Sequence, residues 1–409
     1  MSMRIRCHLP VAVMLLTLAC ASPALGQKVT TVPDLTAQQV LVALANPATA
    51  RPVGDAIALT TAVEIATAPL GTSSGGFIFK LDPSTGLLAR TATTFGPAFT
   101  ERALTSGEGK VSVGVSFSST SYDKLSGFSL SALPVGSVAA TTPTASGTAT
   151  ANLQLTSQTL AMSGIVGVTE NFDIGVVVPM VSVKLSGTSS LINGNGTLAR
   201  LAETNTVFSG IGDVAGIAKY RVVKFKGPDL PDPGGIAVLL TMRLPTGDRD
   251  NLRGLGVTRT LVSAVASGGR GRFRPHGSAG FEFWSKSVDA AAGSPGETVS
   301  VRHQFQYAGG IEVEAAPKVT LLMEFLGQQV LGGGQVVLGA VTPATGVSGI
   351  TSAQSLLASS KGISKALLVP GVKVNLKGKM LLSLNAIITL KNNGLHATVT
   401  PVVGINLTM

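Results

Sequence analysis

The chain has 409 residues, of which 13% are charged and 44% apolar, with a mean hydropathy of +0.41 and a formal net charge of +10. Ordinary soluble domains carry roughly 25% charged residues, so this composition points to a membrane setting. The longest apolar run, Leu9 to Ala19, falls short of the about 18 residues a spanning helix needs, which argues against a helical membrane protein.

The first 26 residues have the layout of an export signal: Arg4 and Arg6, the apolar VAVMLLTLA, then SPALGQ with small residues before Gln27. Cleavage after Gly26 is the expectation, with lipidation at Cys20 as the alternative. Both cysteines, Cys7 and Cys20, lie in this leader, so a mature chain cut after Gly26 has neither a disulfide framework nor a thiolate metal site. Loss of Arg4 and Arg6 takes the formal net charge from +10 to +8. Without basic runs or aromatic stacking platforms, that charge does not indicate nucleic-acid binding. A basic pore or an anionic-lipid surface accounts for it.

Residues 28 to 70 carry one short predicted helix, Leu35 to Leu44, and no clean alternation; residues 27 to 104 read as a periplasmic or plug segment. Within it, Gly75 to Phe95 reads as a hairpin turning at Asp82-Pro83-Ser84-Thr85-Gly86. From residue 105 on, the chain alternates with period two. In Val111 to Ser121, Val111, Val113, Val115 and Phe117 oppose Ser112, Gly114, Ser116 and Ser118. In Ile236 to Leu244, Ile236, Val238, Leu240 and Met242 oppose Thr241 and Arg243. In Val299 to Glu314, Val301, Phe305, Tyr307 and Ile311 alternate with Arg302, Gln304, Gln306 and Glu312. The last segment sets Leu395, Ala397, Val399 and Val403 against His396, Thr398 and Thr400.

A structure that crosses lipid without helices must be a closed barrel, because each backbone N–H and C=O needs a partner there. Tight turns are expected at 170 to 173, 267 to 271, 315 to 318 and 376 to 379, with a longer one at 227 to 235. Longer connections are expected at 123 to 147, 190 to 209, 246 to 256, 287 to 297 and 333 to 363. Short and long links alternate, as in bacterial outer-membrane barrels. The expected fold is therefore all-β: a transmembrane antiparallel up-and-down barrel over 105 to 409. It would have about twelve strands, or about fourteen if the Gly75 to Phe95 hairpin joins the wall.

Four stretches resemble a known family: VTENFDIGVVVPMV (Val168 to Val181), GIGDVAGIAKYRVV (Gly210 to Val223), GGIAVLLTMRLPTGDRDN (Gly234 to Asn251) and GRFRPHGSAGFEF (Gly271 to Phe283). They look like the outer-membrane β-barrel transporter family associated with the meta-pathway of phenol degradation, which is distantly like the long-chain fatty-acid outer-membrane channel. That resemblance implies a barrel passing small, often aromatic or hydrophobic molecules. The closing Gly404-Ile405-Asn406-Leu407-Thr408-Met409 is similar to the signal read by the barrel-assembly machinery, with Met409 in place of the usual terminal Phe.

Chemistry-bearing motifs are sparse. His276 and Ser278 share a strand face, where the spacing of about 6 to 7 Å is too long for a base–nucleophile bond. His303 lies on the apolar parity and His396 beside a turn. Asp248-Arg249-Asp250-Asn251 lacks the glycine and distal glutamate of a calcium loop. Gly107 to Lys110 and Gly254 to Arg259 lack the spacing of phosphate and dinucleotide loops. No cofactor, metal site or catalytic residue is expected.

What remains is a set of polar and charged residues on the inward parity: Asp213, Lys219, Arg221, Arg243, Arg272, Arg274, His276, Glu282, Arg302, Glu312, Glu324 and Lys373. A mutually paired network filling the barrel is favoured over a selectivity surface, and the two are compatible. The leading functional expectation is an outer-membrane channel for small hydrophobic or aromatic molecules, with the lipid bilayer as its surroundings. A plugged envelope barrel, an outer-membrane hydrolase and a soluble β-sandwich are the alternatives.

Overall fold

The computed structural model describes residues 35–43, 50–71, 79–81, 88–90, 94–141, 146–226, 232–291, 298–341, 350–377 and 379–409. The leader and most of the Gly75 to Phe95 hairpin lie outside them. Twelve antiparallel strands close on themselves. In chain order they are β1 (Val111–Tyr122), β2 (Gly147–Thr169), β3 (Phe172–Asn193), β4 (Ala215–Lys224), β5 (Gly235–Arg243) and β6 (Arg259–Ser267). Then come β7 (Phe273–Trp284), β8 (Thr298–Ala316), β9 (Val319–Val341), β10 (Ile350–Lys377), β11 (Met380–Asn392) and β12 (Val399–Thr408). Each pairs with its chain neighbours, and β12 returns to β1 with Thr408 opposite Ser112. At that seam Val111 and Met409 exchange both backbone hydrogen bonds, at 3.0 and 2.8 Å.

Alternation sets which side chains face out. Val113, Val115 and Phe117 of β1, Ile236, Val238, Leu240 and Met242 of β5, and Phe273 and Phe283 of β7 are exposed. Most residues between them are buried or half-buried, so the outer face is apolar while the inner face mixes polar residues with small and apolar ones such as Ala237 and Leu239. A closed ring leaves no free strand edge along its paired length.

Two expectations about length fail for one reason. Of the stretches 190 to 209 and 333 to 363, expected as loops, the described residues are mostly strand: β2, β3, β9 and β10 run 23, 22, 23 and 28 residues. Rich in Ser, Thr, Gly and Ala, they continue past the roughly 9 to 11 residues a tilted spanning strand needs. At this long-strand end Leu198–Ile211 pairs with upper β3, and Leu133–Ala140 lies between β2 and β10.

Two faces were also misassigned. A β-bulge at His303, whose φ is 57°, shifts the register between Arg302 and Gln304, so Val301 turns inward and Arg302 outward. The last segment is divided: Leu395–His396 pairs with Lys124–Leu125 in a separate small sheet, which buries Leu395 and Ala397.

The N-terminal part enters the barrel. Helix α1 (Ala37–Ala43) falls within the expected helix, whereas α2 (Ala50–Ala66) was not anticipated. The described part of α2 is apolar on nearly all sides because barrel side chains surround it, including Leu133, Leu153, Leu185 and Leu356. The strands Phe79–Leu81 and Leu88–Arg90 pair with each other and not with the ring, which leaves twelve strands rather than fourteen.

Candidate functional site in the lumen

Inward-facing residues of β3 to β10 hold two pieces of the N-terminal segment. The first is the C-terminal end of α2, whose last carbonyls have no partner within the helix. Arg259 Nη2 donates to the Ala66 carbonyl at 2.9 Å, and Gln328 Nε2 to that of Thr67 at 3.1 Å. Lys365 Nζ donates to Thr67 Oγ1 at 2.9 Å and pairs with Glu64 at 2.8 Å. Two cations at the negative end of a helix dipole are favourably placed.

The second piece is an extended strap, residues 94 to 106, crossing the lumen near the short turns. It has no strand partner, so its amides are satisfied by wall side chains. Glu324 accepts the N–H of Ala98 at 2.8 Å and of Phe99 at 3.0 Å, and the Thr100 hydroxyl at 2.8 Å. Glu312 accepts the Gly96 N–H at 2.9 Å, Thr320 Oγ1 that of Phe95 at 3.1 Å and Ser267 Oγ that of Ala103 at 3.0 Å. Asp173 takes the Ser106 N–H at 2.9 and 3.1 Å, and Lys373 Nζ donates to the Pro97 carbonyl at 2.6 Å.

Of the twelve inward-parity residues, nine are buried: Asp213, Lys219, Arg221, Arg274, His276, Glu282, Glu312, Glu324 and Lys373. Arg243 is half-buried. Arg272 and Arg302 are exposed, contrary to expectation. The bulge at His303 turns Arg302 away. Arg272 precedes β7 in a turn where Gly271 has a φ of 54°, and only its carbonyl, which accepts the Glu314 N–H at 3.0 Å, joins the sheet.

The charges interlock. Asp213 pairs with Arg259 at 3.2 Å, and Arg259 Nη1 lies 3.6 Å from Glu282. Arg221 donates to Asp232 at 2.7 Å, and Arg274 donates to the Asp232 carbonyl at 2.9 Å. His276 stands between Glu312 at 3.5 Å and Glu324 at 3.7 Å. Lys219 faces Glu101 of the strap at 3.6 Å. Sequence reasoning missed Arg259, Lys365 and Asp173. In β6, Leu261 and Val265 face inward beside Arg259, so polarity does not mark the inner face, and Lys365 directly follows a stretch expected as loop.

Between the end of α2 and the strap the lumen is incompletely filled. Leu70, Gly71 and Phe99 line two adjoining cavities of about 60 and 130 Å³. The smaller is bordered in part by Ser, Asn and Gly of β1, β11 and β12. The larger carries Ala215, Ile217, Leu239, Leu261 and Leu326 on its wall, with Arg243 among them.

Asp248 of the loop 244 to 258 accepts hydrogen bonds from Asp250, Asn251 and Arg253. The loop holds α1: Asn251 Oδ1 accepts the Ala37 N–H at 3.2 Å and the Asp250 carbonyl that of Gln38 at 3.0 Å. Partial burial would raise the Asp248 carboxyl, and the hydrogen bonds from Asn251 with the nearby Arg253 charge outweigh it, leaving it below the usual carboxylate range. Among the described residues no three His, Cys, Asp or Glu side chains form a metal-binding group.

No family model matches the chain, and no curated protein matches it. Among solved structures it is similar to an outer membrane channel from Pseudomonas putida F1, at 10% identity and a TM-score of 0.45, over 75% of this chain and 98% of that one. It is also similar to a FadL homologue from Pseudomonas aeruginosa, at 11% identity and a TM-score of 0.33, over 84% and 97% of the two chains. A third is the β domain of the Bordetella autotransporter BrkA, at 8% identity and a TM-score of 0.34, over 74% and 100%. The strand pairing itself, rather than likeness at this level, establishes the barrel.

Proposed function

We propose that the protein is an outer-membrane channel that gives passive passage to small hydrophobic or aromatic molecules. The observation that carries this reading is the chamber between α2 and the strap, part of whose wall is apolar although it lies in a largely polar lumen. Such a wall suits a solute with little hydrogen-bonding capacity. An apolar outer face on a closed antiparallel ring supports a bilayer setting, and the export layout of the leader supports the outer membrane. The last strand is the segment that the barrel-assembly machinery would read. His276 lies between two carboxylates, an arrangement that favours positioning over nucleophilic catalysis.

The test is permeation. Liposomes carrying the purified chain are expected to admit benzyl alcohol and toluene faster than empty liposomes, and equal rates would sink the reading. A second reading, an envelope barrel with a closed lumen, is favoured by the seven hydrogen bonds through which Thr320, Glu312, Glu324, Ser267 and Lys373 hold the strap. It expects no permeation by the unmodified chain and a conductance that appears once the strap is released.

A further inference from the structure

Most of the lumen's cations donate short hydrogen bonds, whereas Arg243 has only a long ion pair. Arg221, Arg259, Arg274, Lys365 and Lys373 each donate a hydrogen bond at 2.9 Å or closer. Among the described residues Arg243 donates none, and its nearest carboxylate oxygen, on Glu282, lies 4.0 Å from Nε. That contact is to Glu282 Oε2 and is a long one; the other oxygen, Oε1, accepts Trp284 Nε1 at 2.8 Å and Gln304 Nε2 at 3.2 Å, and lies 3.6 Å from Arg259. The Arg243 side chain, 15% exposed, instead borders the 130 Å³ cavity beside Ile217, Leu239, Leu261, Leu326 and Phe99.

A guanidinium presents five N–H donors in a planar fork that matches a carboxylate. Set against an apolar wall and removed from bulk water, such a fork is costly to leave unmatched. A neutral ring entering this cavity would displace water from Arg243 and offer nothing in return. A ring carrying one carboxylate would fill the apolar wall and the fork together. We propose that Arg243 and this wall form a binding site for a small monoanion with an apolar body, of the class of single-ring carboxylates. The proposal rests on the reading of the lumen as a passage, and gives the chemistry of the solute that pauses there.

Benzoate is the probe, with benzyl alcohol as its neutral counterpart and benzylamine as its cationic one. Calorimetric titration of the full chain in detergent gives each affinity, and emission from Trp284, the chain's single tryptophan, reports on the group beside Glu282. Benzoate is expected to bind at least about tenfold tighter than benzyl alcohol, and Arg243→Gln to weaken benzoate by about tenfold or more, leaving benzyl alcohol nearly unchanged. Arg243→Lys, which keeps the charge but not the fork, should fall between. Absent benzoate binding, equal affinities for the three probes, or an unchanged Arg243→Gln would each overturn the site. The comparison of probes on the unmodified chain needs no variant, so a failure of Arg243→Gln to fold leaves the proposal testable. Liposome permeation separates the two readings. Benzoate binding without passage of any probe refutes the channel and keeps the site, whereas passage of benzyl alcohol without benzoate binding does the reverse.

Discussion

The Glu324 carboxylate, projecting from β9, accepts the backbone N–H of Phe99 in the strap at 3.0 Å. Strap and wall are joined by the kind of charge-assisted bond that is strong where water is scarce. Glu324→Ala would leave the Ala98 and Phe99 amides and the Thr100 hydroxyl without that acceptor. Loss of a buried, hydrogen-bonded charge costs on the order of 3 kcal/mol. Amide exchange at Ala98 and Phe99 should accelerate by at least about a hundredfold, and single-channel conductance should rise, while the ring itself stays closed. Unchanged exchange would show that the strap is held elsewhere.

Arg259 joins Ala66 of α2 to Asp213 and Glu282 of the wall. Arg259→Met keeps most of the volume and removes the charge, leaving two buried carboxylates short of a partner. The expected cost is about 3 to 5 kcal/mol. It should appear as a lower temperature for the shift in gel migration that accompanies barrel unfolding. Asp213→Asn added to Arg259→Met should recover part of the loss; simple additivity would show the two are uncoupled.

On the outer face the Tyr307 ring lies over Gly327, its cross-strand partner, in the space a Cβ would take. Aromatic cover of a strand glycine fixes register. Gly327→Ala should displace the ring and cost about 1 to 3 kcal/mol, the range for an added methyl in a packed site. Tyr307→Ala in the same chain should relieve most of that penalty. An equal cost with and without Tyr307 would argue against the interlock.

Acid sensitivity is expected at the small outer sheet. Partial burial alone would raise the Asp123 carboxyl, but hydrogen bonds with His396 at 2.7 Å and from Thr398 at 3.0 Å, together with the His396 charge, outweigh it and hold it below its ordinary value. A depressed carboxyl contributes stability that is full above its unfolded value of about 3.9 and is lost as pH falls through the folded one. Exchange at the Asp123 amide, which donates to the His396 carbonyl, should therefore rise below about pH 4. Asp123→Asn should flatten that acid limb, and an acid limb that survives would assign it to another group.

Much of this was legible in the chain. Strands β1 and β7 each have an apolar and a polar side, and β5 an apolar side opposite Thr241 and Arg243, so period two alone assigned Ile236 and Phe283 outward and Glu282 inward. Three features escaped. A bulge adds one residue without altering composition, and His303 reversed the faces of Val301 and Arg302. Helix α2 sits inside an apolar sleeve, so it shows no amphipathic stripe. The upper parts of β9 and β10 alternate among small residues that read equally well as loop. In the lumen, the charges were visible but their task was not. Glu312 and Glu324 are addressed to the backbone amides of Gly96, Ala98 and Phe99, and a backbone amide has no signature in sequence.

The seam between Val111 and Met409 joins the two strands farthest apart in the chain, so the ring is completed by the longest-range contact it contains. The strap and α2 precede β1, yet they are bonded to walls from β3 to β10. The closed cylinder offers no side entrance for a helix wide with side chains, so the N-terminal segment either enters by an open end or lies between the staves before the seam zips. In the second case it is a mandrel on which the staves are gathered. A cylinder closed without it would leave Glu312, Glu324 and Asp173 without the strap amides they accept. In pulse-labelled assembly, a mandrel expects protection of Phe99 to appear no later than protection of Met409.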